Sequence, residues 1–518
     1  MFKRLFLFCF VGISSFCFSN NINVTNVVVT GTVSPYTMVS FDISWDNSWR
    51  TSTLESNWDA AWIFVKWRKK NTVVWNHATL SPSAGGGHTA PAGATISASD
   101  NAGAFLYRDA DGLGNVSFTN VALRWNYVAD GLQGGDVAGG TDFVEVCVFA
   151  IEMVYVPQGR FDVGSGSGYY DFYKYPTSAN TYSITSEAAI NVGITNGYLY
   201  YAGGGSDESD NNGPIPATFP KGYNAFYCMK YEITQEQYVA FLNKLTYSQQ
   251  SIRTDASVPP NSAPGSGAFG NGNNNRTSVA IMTSGVSAAT PAVYACNLDA
   301  DGNYNEAADG QNIACNYLSW ADLVAYLDWA GLRPMTEMEY EKACRGTLPP
   351  VPGEYAWGTA TFSSSGYTIS NSGADNEGIA TNYSTTSGNS ICSQTTPPGP
   401  VRVGIFAANA SNTGRISSGA TYYGIMEMSG NLYESYITAG NNTGRSFTGI
   451  HGDGVLDASG DANVTNWPGT DAIGIGIRSG GWPDDGTSIM QVSDRSMGAF
   501  TFPDRQEALG GRGGRTAP

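Results

Sequence analysis

Residues 422–436 read YYGIMEMSGNLYESY and place two carboxylates, Glu427 and Glu434, on either side of the pair Gly430 and Asn431. The other side chains of this stretch are mostly aromatic or apolar, which is typical of a buried segment. A buried carboxylate loses its hydration and needs a cation or several hydrogen-bond donors to offset that loss. The stretch therefore predicts a buried turn that is organised around such a partner.

The charge balance of the 518-residue chain narrows the classes of partner. Charged residues make up only 14% of the chain, and 44 acids against 27 bases give a formal charge of -17 and a pI near 4.5. Binding to nucleic acid or to an anionic membrane needs clustered Lys and Arg. We therefore expect no nucleic-acid partner, and we expect a protein that meets divalent cations outside the cell.

The first residues have the pattern of an export signal. Residues 1–20, MFKRLFLFCFVGISSFCFSN, place Lys3 and Arg4 before an apolar run that ends in small residues. This pattern predicts a signal peptide over residues 1–19, cleaved after Ser19. No later apolar run is long enough to span a bilayer, so we expect a secreted or cell-surface protein without membrane insertion.

Six cysteines remain after the predicted cleavage. Cys296 and Cys315 bracket one short loop and are the best candidates for a disulfide in an oxidising compartment. For the other four, buried free thiols are the alternative.

The composition of the sequence and the spacing of its apolar residues change near residue 150. Residues 20–149 contain successive runs rich in Val, Phe, Trp and Thr, broken at short intervals by Gly, Asp, Asn or Pro, which predicts an all-β sandwich domain. Residues 150–518 form the second predicted domain. There, Thr234, Ser319 and Thr336 each stand before a helical pattern, with an acid or amide three residues on, as in a capping box. The tracts 164–212, 248–290 and 359–398 are rich in Gly, Ser, Asn and Thr, and are predicted to be long loops.

Several segments of the second part resemble one family in their order along the chain. They are MVYVPQGRFDVGS from residue 153, FYCMKYEITQEQYVAFLNKL from 226, YLSWADLVAYLDWAGLRPMTEMEYEKACRG from 317, YAWG from 355, YYGIMEMSGNLYES from 422, RSGGW from 478, VSDR from 492 and GGRGGR from 510. Together they resemble the formylglycine-generating enzyme, or sulfatase-modifying-factor, family. The resemblance implies an α+β, C-type-lectin-like fold with little regular secondary structure.

The resemblance also implies calcium in the segment quoted first. Family members bind the ion with a side chain at the position of Glu427, carbonyls at Gly430 and Leu432, and a carboxylate at Glu434. Calcium accepts such a mixture of hard oxygen ligands. The alternative is that the two acids are solvated or paired with Arg. Asn382 and Tyr383 match half of the family's second calcium site, whose aspartate has no counterpart here.

A second acidic loop, CNLDADGNYNEAADGQNIAC, occupies residues 296–315. Asn297, Asp299 and Asp301, followed by Gly302, reproduce the start of a calcium loop, with oxygen side chains at alternate positions. Ala308 occupies the closing position, and Asp309 comes one residue late. The alternative is a polar turn without an ion.

The residues needed for the family's oxidation chemistry are missing. Family enzymes convert a sulfatase cysteine to formylglycine with copper held by two cysteines, because soft sulfur ligands select cuprous copper. Residues 478–505 contain no cysteine, and none follows Cys392. His451 is the only histidine of the second part and, with Asp453, is more typical of a turn than of a catalytic pair. We therefore expect no catalysis of the family type.

The stretch that corresponds to the active site is instead predicted to bind a ligand. Its candidate contact residues are Trp482, Asp484, Asp485, Asp494, Arg495, Asp504 and Arg505. The alternative for Trp482 is a role in the apolar core. The alternative for Asp494 and Arg495 is an internal ion pair. The expected function is that of a secreted, calcium-stabilised, non-catalytic protein that binds a glycan or protein or assembles with itself. The competing hypothesis is a copper-dependent formylglycine-generating oxidase with a divergent site.

Overall fold

The computed structural model describes residues 21–83, 86–137, 143–168, 170–201, 208–270, 274–363, 366–392, 397–412, 414–484 and 487–518. The predicted signal peptide and Asp485 lie outside these ranges. The described chain is an α+β protein with many short strands and few helices. None of the helices in these ranges combines the length and the apolar composition that crossing a bilayer requires.

The strands, numbered in chain order, are β1 Asn23–Val33, β2 Tyr36–Arg50, β3 Asp59–Lys69, β4 Asn76–His77, β5 Ala94–Ser97, β6 Ala104–Arg108, β7 Gly112–Trp125, β8 Val144–Val156, β9 Phe161–Val163, β10 Tyr173–Lys174, β11 Tyr182–Ile184, β12 Leu199–Tyr200, β13 Phe226–Met229, β14 Val279–Thr283, β15 Val293–Cys296, β16 Thr368–Ser370, β17 Gly378–Thr381, β18 Tyr433–Ile437, β19 Ile475–Arg478, β20 Leu509–Gly510 and β21 Gly514–Thr516. The helices are α1 Gly134–Val137, α2 Gln235–Leu242, α3 Tyr247–Arg253, α4 Trp320–Trp329, α5 Glu337–Arg345, α6 Arg415–Ser418 and α7 Asn442–Arg445.

One sheet joins the two predicted domains. Its strands lie in the order β21-β13-β8-β3-β6-β5, with β4 added beside β3. The central strand β8 runs across the predicted boundary at residues 149 and 150 and pairs with β3 on one side and β13 on the other. A second sheet, β1-β2-β7, contributes with the first to one apolar core. The two predicted parts of the chain are therefore joined by backbone hydrogen bonds.

Apolar packing continues across the same boundary. The Phe105 ring stacks on Tyr227 with centroids 3.8 Å apart, and Phe64 meets Trp329 edge-on at 5.2 Å. The indole nitrogen of Trp62 donates to the Ala330 carbonyl at 2.8 Å. Strands β3 and β6 thus pack against α4 and β13, and they form part of the same core.

The three predicted helix starts are confirmed. Thr234, Ser319 and Thr336 each cap a helix, and each has a reciprocal capping box with the residue three positions on. The prediction that residues 164–212, 248–290 and 359–398 form only loops was wrong in part, because these tracts contain the short strands β10 to β12, β14, β16 and β17, and the second tract begins within helix α3. A further capping box between Thr246 and Gln249 starts α3, and the fully buried Gln250 side chain fixes it to the Leu242 and Ala292 carbonyls.

The expected disulfide is absent from the described chain. Cys296 and Cys315 are both buried thiols, as are the four other cysteines of the described ranges. Burial raises the pKa of both thiols well above its usual range. Cys296 and Cys315 therefore pack as small apolar groups. The sequence analysis names this role as an alternative only for the other four cysteines.

Candidate functional site

The turn before β18 is formed by a residue that can only be glycine. Gly430 has φ of +90°, and a Cβ there would lie 1.9 Å from the Ser390 hydroxyl oxygen. Its amide donates to the Ser479 carbonyl at 2.6 Å, and its carbonyl accepts from the Ser479 hydroxyl at 3.2 Å. Gly430 thus fixes the turn against the end of β19.

Glu427 is buried and only half satisfied. Its Oε1 accepts from the Gly404 amide at 2.9 Å, whereas Oε2 is buried without a hydrogen-bond partner. Burial raises the pKa of this carboxyl to about 7. An unpartnered oxygen of this kind is costly, so it marks a place where a further donor or a cation would stabilise the fold.

Glu434 lies in β18 and has a full set of partners. Arg512 Nε is 2.9 Å from both of its carboxylate oxygens, and Nη2 is 2.7 Å from Oε1. The Tyr436 hydroxyl donates to Oε2 at 2.6 Å. Arg512 Nη2 also reaches the Glu427 carbonyl at 3.2 Å. A cation bound by Glu434 would therefore have to displace Arg512.

A third buried acid, Glu232, joins this cluster and was missed in the sequence analysis. It accepts from Asn431 Nδ2 at 2.5 Å and from the Leu432 amide at 3.0 Å. Burial, followed by the charge of Glu434, raises the pKa of Glu232 well above its usual range. The three glutamates share one arginine, Arg512. The only signal in the sequence was an acid in the family segment YEITQEQY, 200 residues from its partner Leu432.

A small cavity adjoins Glu427. Its polar lining consists of Asn389, Ser390, Ser418, Glu427, Ser429 and Asn431. Its volume of about 10 Å³ is room for roughly one water-sized sphere. Oxygen-bearing side chains, a buried unpartnered carboxylate oxygen and an excess of negative charge suit a hard cation such as calcium. By these observations Glu427 fits the implied ion, whereas Glu434 is already held by Arg512.

The other half-site predicted from the resemblance lies in an exposed loop. Asn382 has φ of +70°, and its amide donates to the Gly366 carbonyl at 2.6 Å. Tyr383 packs against an apolar cluster. The contacts of both residues are local and structural.

The arginines of residues 478–505, the stretch that corresponds to the family's active site, are directed into the protein. Arg495 is fully buried, with Nε 2.6 Å from Glu337 Oε2, and its guanidinium lies 4.2 Å from the Phe172 ring centre. Arg478 Nη2 donates to the same oxygen at 2.8 Å. The alternative for Arg495 was an internal ion pair with Asp494; the ion pair that the structure describes for Arg495 is with Glu337. Arg505 pairs with Asp322, with Nε and Oδ2 2.7 Å apart.

The remaining predicted contact residues are mostly engaged as well. Trp482 is buried and donates through Nε1 to the Glu507 carbonyl at 3.2 Å. Asp484 accepts from the Tyr433 hydroxyl and from the Gly481 amide. Asp494 caps Ser496 locally, while Asp504 is exposed. The described members of this set therefore contact different partners, and Asp485 lies outside the described residues.

The thiols and the histidine do not form the family's reactive groups. Cys392 Sγ lies 3.7 Å from the Asp484 carbonyl, so one thiol touches this stretch, but a copper site of the family type needs two. Cys344 is buried, and burial raises its pKa. His451 Nδ1 faces Asp100 Oδ2 at 3.4 Å, and Nε2 accepts from the Thr516 amide. The residues present do not fit the copper site.

The acidic loop between β15 and α4 brings three carboxylates together. Oxygens of Asp299, Asp301 and Glu306 all lie within 4.8 Å of one another. Glu306 was not among the predicted ligands, because the calcium-loop pattern counts positions along the chain and the turn at Asn305 shortens the distance in space. Asn297 is buried beneath the loop.

A comparison with models of protein families gives a match over much of the chain. The model described as sulfatase-modifying factor enzyme 1-like domain matches residues 145–457, more than half of the chain. The match begins within β8, the strand that joins the two predicted parts. Comparison with curated proteins gives no match. By its family match, the chain belongs to the sulfatase-modifying factor family.

Proposed function

We propose that this chain is an exported, calcium-stabilised and non-catalytic member of its family, which binds a glycan or protein or assembles with itself. In this proposal a β-sandwich precedes a C-type-lectin-like framework. The observation that carries it is the state of residues 478–505. This stretch has no cysteine, and its three innermost arginines are paired with Glu337 and Asp322 in the interior.

The absence of oxidase activity is directly testable. We expect no aldehyde when the protein is loaded with Cu(I) and incubated with a peptide carrying a sulfatase cysteine motif, followed by mass spectrometry. An active family enzyme serves as the positive control. Aldehyde formation that disappears in Cys392→Ser would instead establish the competing oxidase, since Cys392 is the thiol in contact with this stretch.

Calcium stabilisation rests on Glu427. Glu427→Gln is expected to raise the free energy of unfolding by up to about 3 kcal/mol at pH 8 in EDTA. The pKa of this residue is about 7 in the folded protein and near 4.5 when unfolded, so its ionisation costs stability as the pH rises from 4.5 to 7. Gln cannot ionise and still accepts from Gly404. Denaturant unfolding at pH 5 and pH 8 measures the difference.

Calcium should reverse the order of stability of the wild type and Glu427→Gln at pH 8. Added calcium is expected to stabilise the wild type at pH 8 and to do less for Glu427→Gln, because the amide is the weaker ligand. A wild type that is indifferent to calcium, or a variant that is less stable than the wild type in EDTA, contradicts the assignment of Glu427.

Two features support the binding version of the proposal. The rings of Phe500 and Phe502 stack with centroids 5.8 Å apart and are only half-buried. Both residues belong to the stretch 478–505, as does the exposed Asp504. Partly exposed aromatic rings with a carboxylate two residues on in sequence suit a sugar or another polar ligand. Binding on a glycan array that is lost in Phe502→Ala supports this version. A homogeneous filament of the purified protein supports the assembly version.

A further inference from the structure

We propose that the loop of residues 297–309 is a second calcium site, with the carboxylates of Asp299, Asp301 and Glu306 as its ligands. This site lies in an acidic loop separate from the Glu427 cavity, so it stands whether or not the proposed function does. The three carboxylates are exposed and lie within 4.8 Å of one another. Three negative charges this close repel one another, and a cation between them would relieve that repulsion.

A fourth acid points independently to a ligand here. Asp309 has no exposed surface, and its Oδ1 is buried without a hydrogen-bond partner, while Oδ2 accepts from the Glu306 amide at 2.8 Å. Asp309 therefore contacts the backbone of Glu306, one of the three convergent acids. A buried carboxylate oxygen without a partner is costly, so a cation bound in this loop would stabilise it.

The donor set selects the type of ion. Every candidate ligand is a carboxylate oxygen, and neither Cys nor His is a member of the cluster in the described residues. Hard oxygen donors on a flexible loop favour Ca²⁺, which accepts irregular coordination, over Mg²⁺, which demands an octahedron and gives up its water reluctantly. The exposed ligands leave room for water in the remaining coordination positions.

The residues that follow the loop suggest what the ion does. The Gln311 and Ile313 carbonyls accept from the first amides of α2, at Glu236 and Gln235. The Val403 amide donates to the Asn312 carbonyl at 3.0 Å, one residue before the amide of Gly404 that binds Glu427. An ion at residues 299–306 therefore fixes the segment that caps α2 and supports the Glu427 turn.

The chain contains a matched control for this site. The tetrapeptide Asp-Ala-Asp-Gly occurs at residues 299–302 and again at residues 109–112. At the second occurrence Asp111 accepts from the Ser52 amide and hydroxyl, and no described group of converging acids includes it. The same pair of substitutions can therefore be made in identical sequence, with and without the convergent acids.

The test is calcium binding to the full chain, measured by isothermal titration and by protection from proteolysis within residues 297–315. We expect Asp299→Asn with Asp301→Asn to lose one bound ion or to weaken its binding at least tenfold, and Asp109→Asn with Asp111→Asn to change neither. Glu306→Gln, a milder change, should weaken the same ion if the double variant does not fold. Magnesium should not replace calcium at equal concentration.

The outcomes separate this site from the Glu427 site. Loss of one ion in the loop variant and of another in Glu427→Gln supports both assignments. Equal calcium binding by the wild type and the loop variants, or loss only in the control at residues 109 and 111, overturns the loop site and leaves the Glu427 assignment untouched.

Discussion

Replacement of Arg512 with Met is expected to lower the free energy of unfolding by about 3–5 kcal/mol in EDTA. Arg512 is fully buried and is the arginine shared by Glu232, Glu427 and Glu434. Without it, the carboxylate of Glu434 keeps only the Tyr436 hydroxyl among the partners described above, and three acids remain in a region of low dielectric. Met preserves much of the volume, so the effect reports the lost charge.

Denaturant unfolding at pH 7 measures this effect, with Arg68→Met as the matched control. Arg68 pairs with Glu145 at 2.5 Å, but both side chains are 30% exposed. Solvent screening limits such a pair to about 0–1 kcal/mol. Calcium should restore part of the stability of Arg512→Met, because an added cation can take over the charge. Equal effects of the two substitutions would show that the buried cluster does not depend on Arg512.

The second large effect is expected at Glu337, which connects α5 to the active-site stretch. Its carboxylate accepts from Arg478, Arg495, the Thr438 hydroxyl and the Ala439 amide, at distances between 2.6 and 3.1 Å. We expect Glu337→Gln to cost about 3 kcal/mol at pH 7, because Arg478 and Arg495 both lose the charged carboxylate nearest to them, and Arg478 is left with the more distant Glu341 at 3.8 Å.

The pH dependence gives this prediction a second readout. Burial opposes ionisation of Glu337, but the charges of Arg495 and Arg478 outweigh it and lower its pKa to about 2. The pKa in the unfolded chain is near 4.5, so the stabilisation is present above pH 4.5 and is lost as the pH falls toward 2. The difference between wild type and Glu337→Gln should shrink over this range. A difference that stays constant from pH 7 to pH 3 would contradict the ion-pair explanation, and Glu145→Gln should show little effect at any pH.

Local signals in the sequence were sufficient for some features. The capping-box pattern at Thr234, Ser319 and Thr336 predicted the helix starts correctly, because a capping box is formed by residues three positions apart. The ordered family segments predicted the family, and the match to the family model confirmed it. Glycine at position 430 predicted the tight turn, since its φ of +90° disfavours other residues.

Features that depend on distant partners could not be predicted. Glu434 and Arg512 are 78 residues apart, and the motif around Glu434 carries no information on which cation it meets. The same holds for Glu232 and for the pairing of Arg495 with Glu337, which are 158 residues apart. The two aspartates that begin the acidic loop were found by spacing, whereas Glu306 converges on them only once the loop has folded.

The position of strand β8 limits how this chain can be divided into fragments. Because β3 and β13 flank the same strand, a chain cut at residue 150 would divide one strand between two fragments and leave unpaired edges on both. The amino-terminal part is thus not separable from the family domain at this point, and a fragment of residues 21–149 is expected to associate through its exposed strand edge.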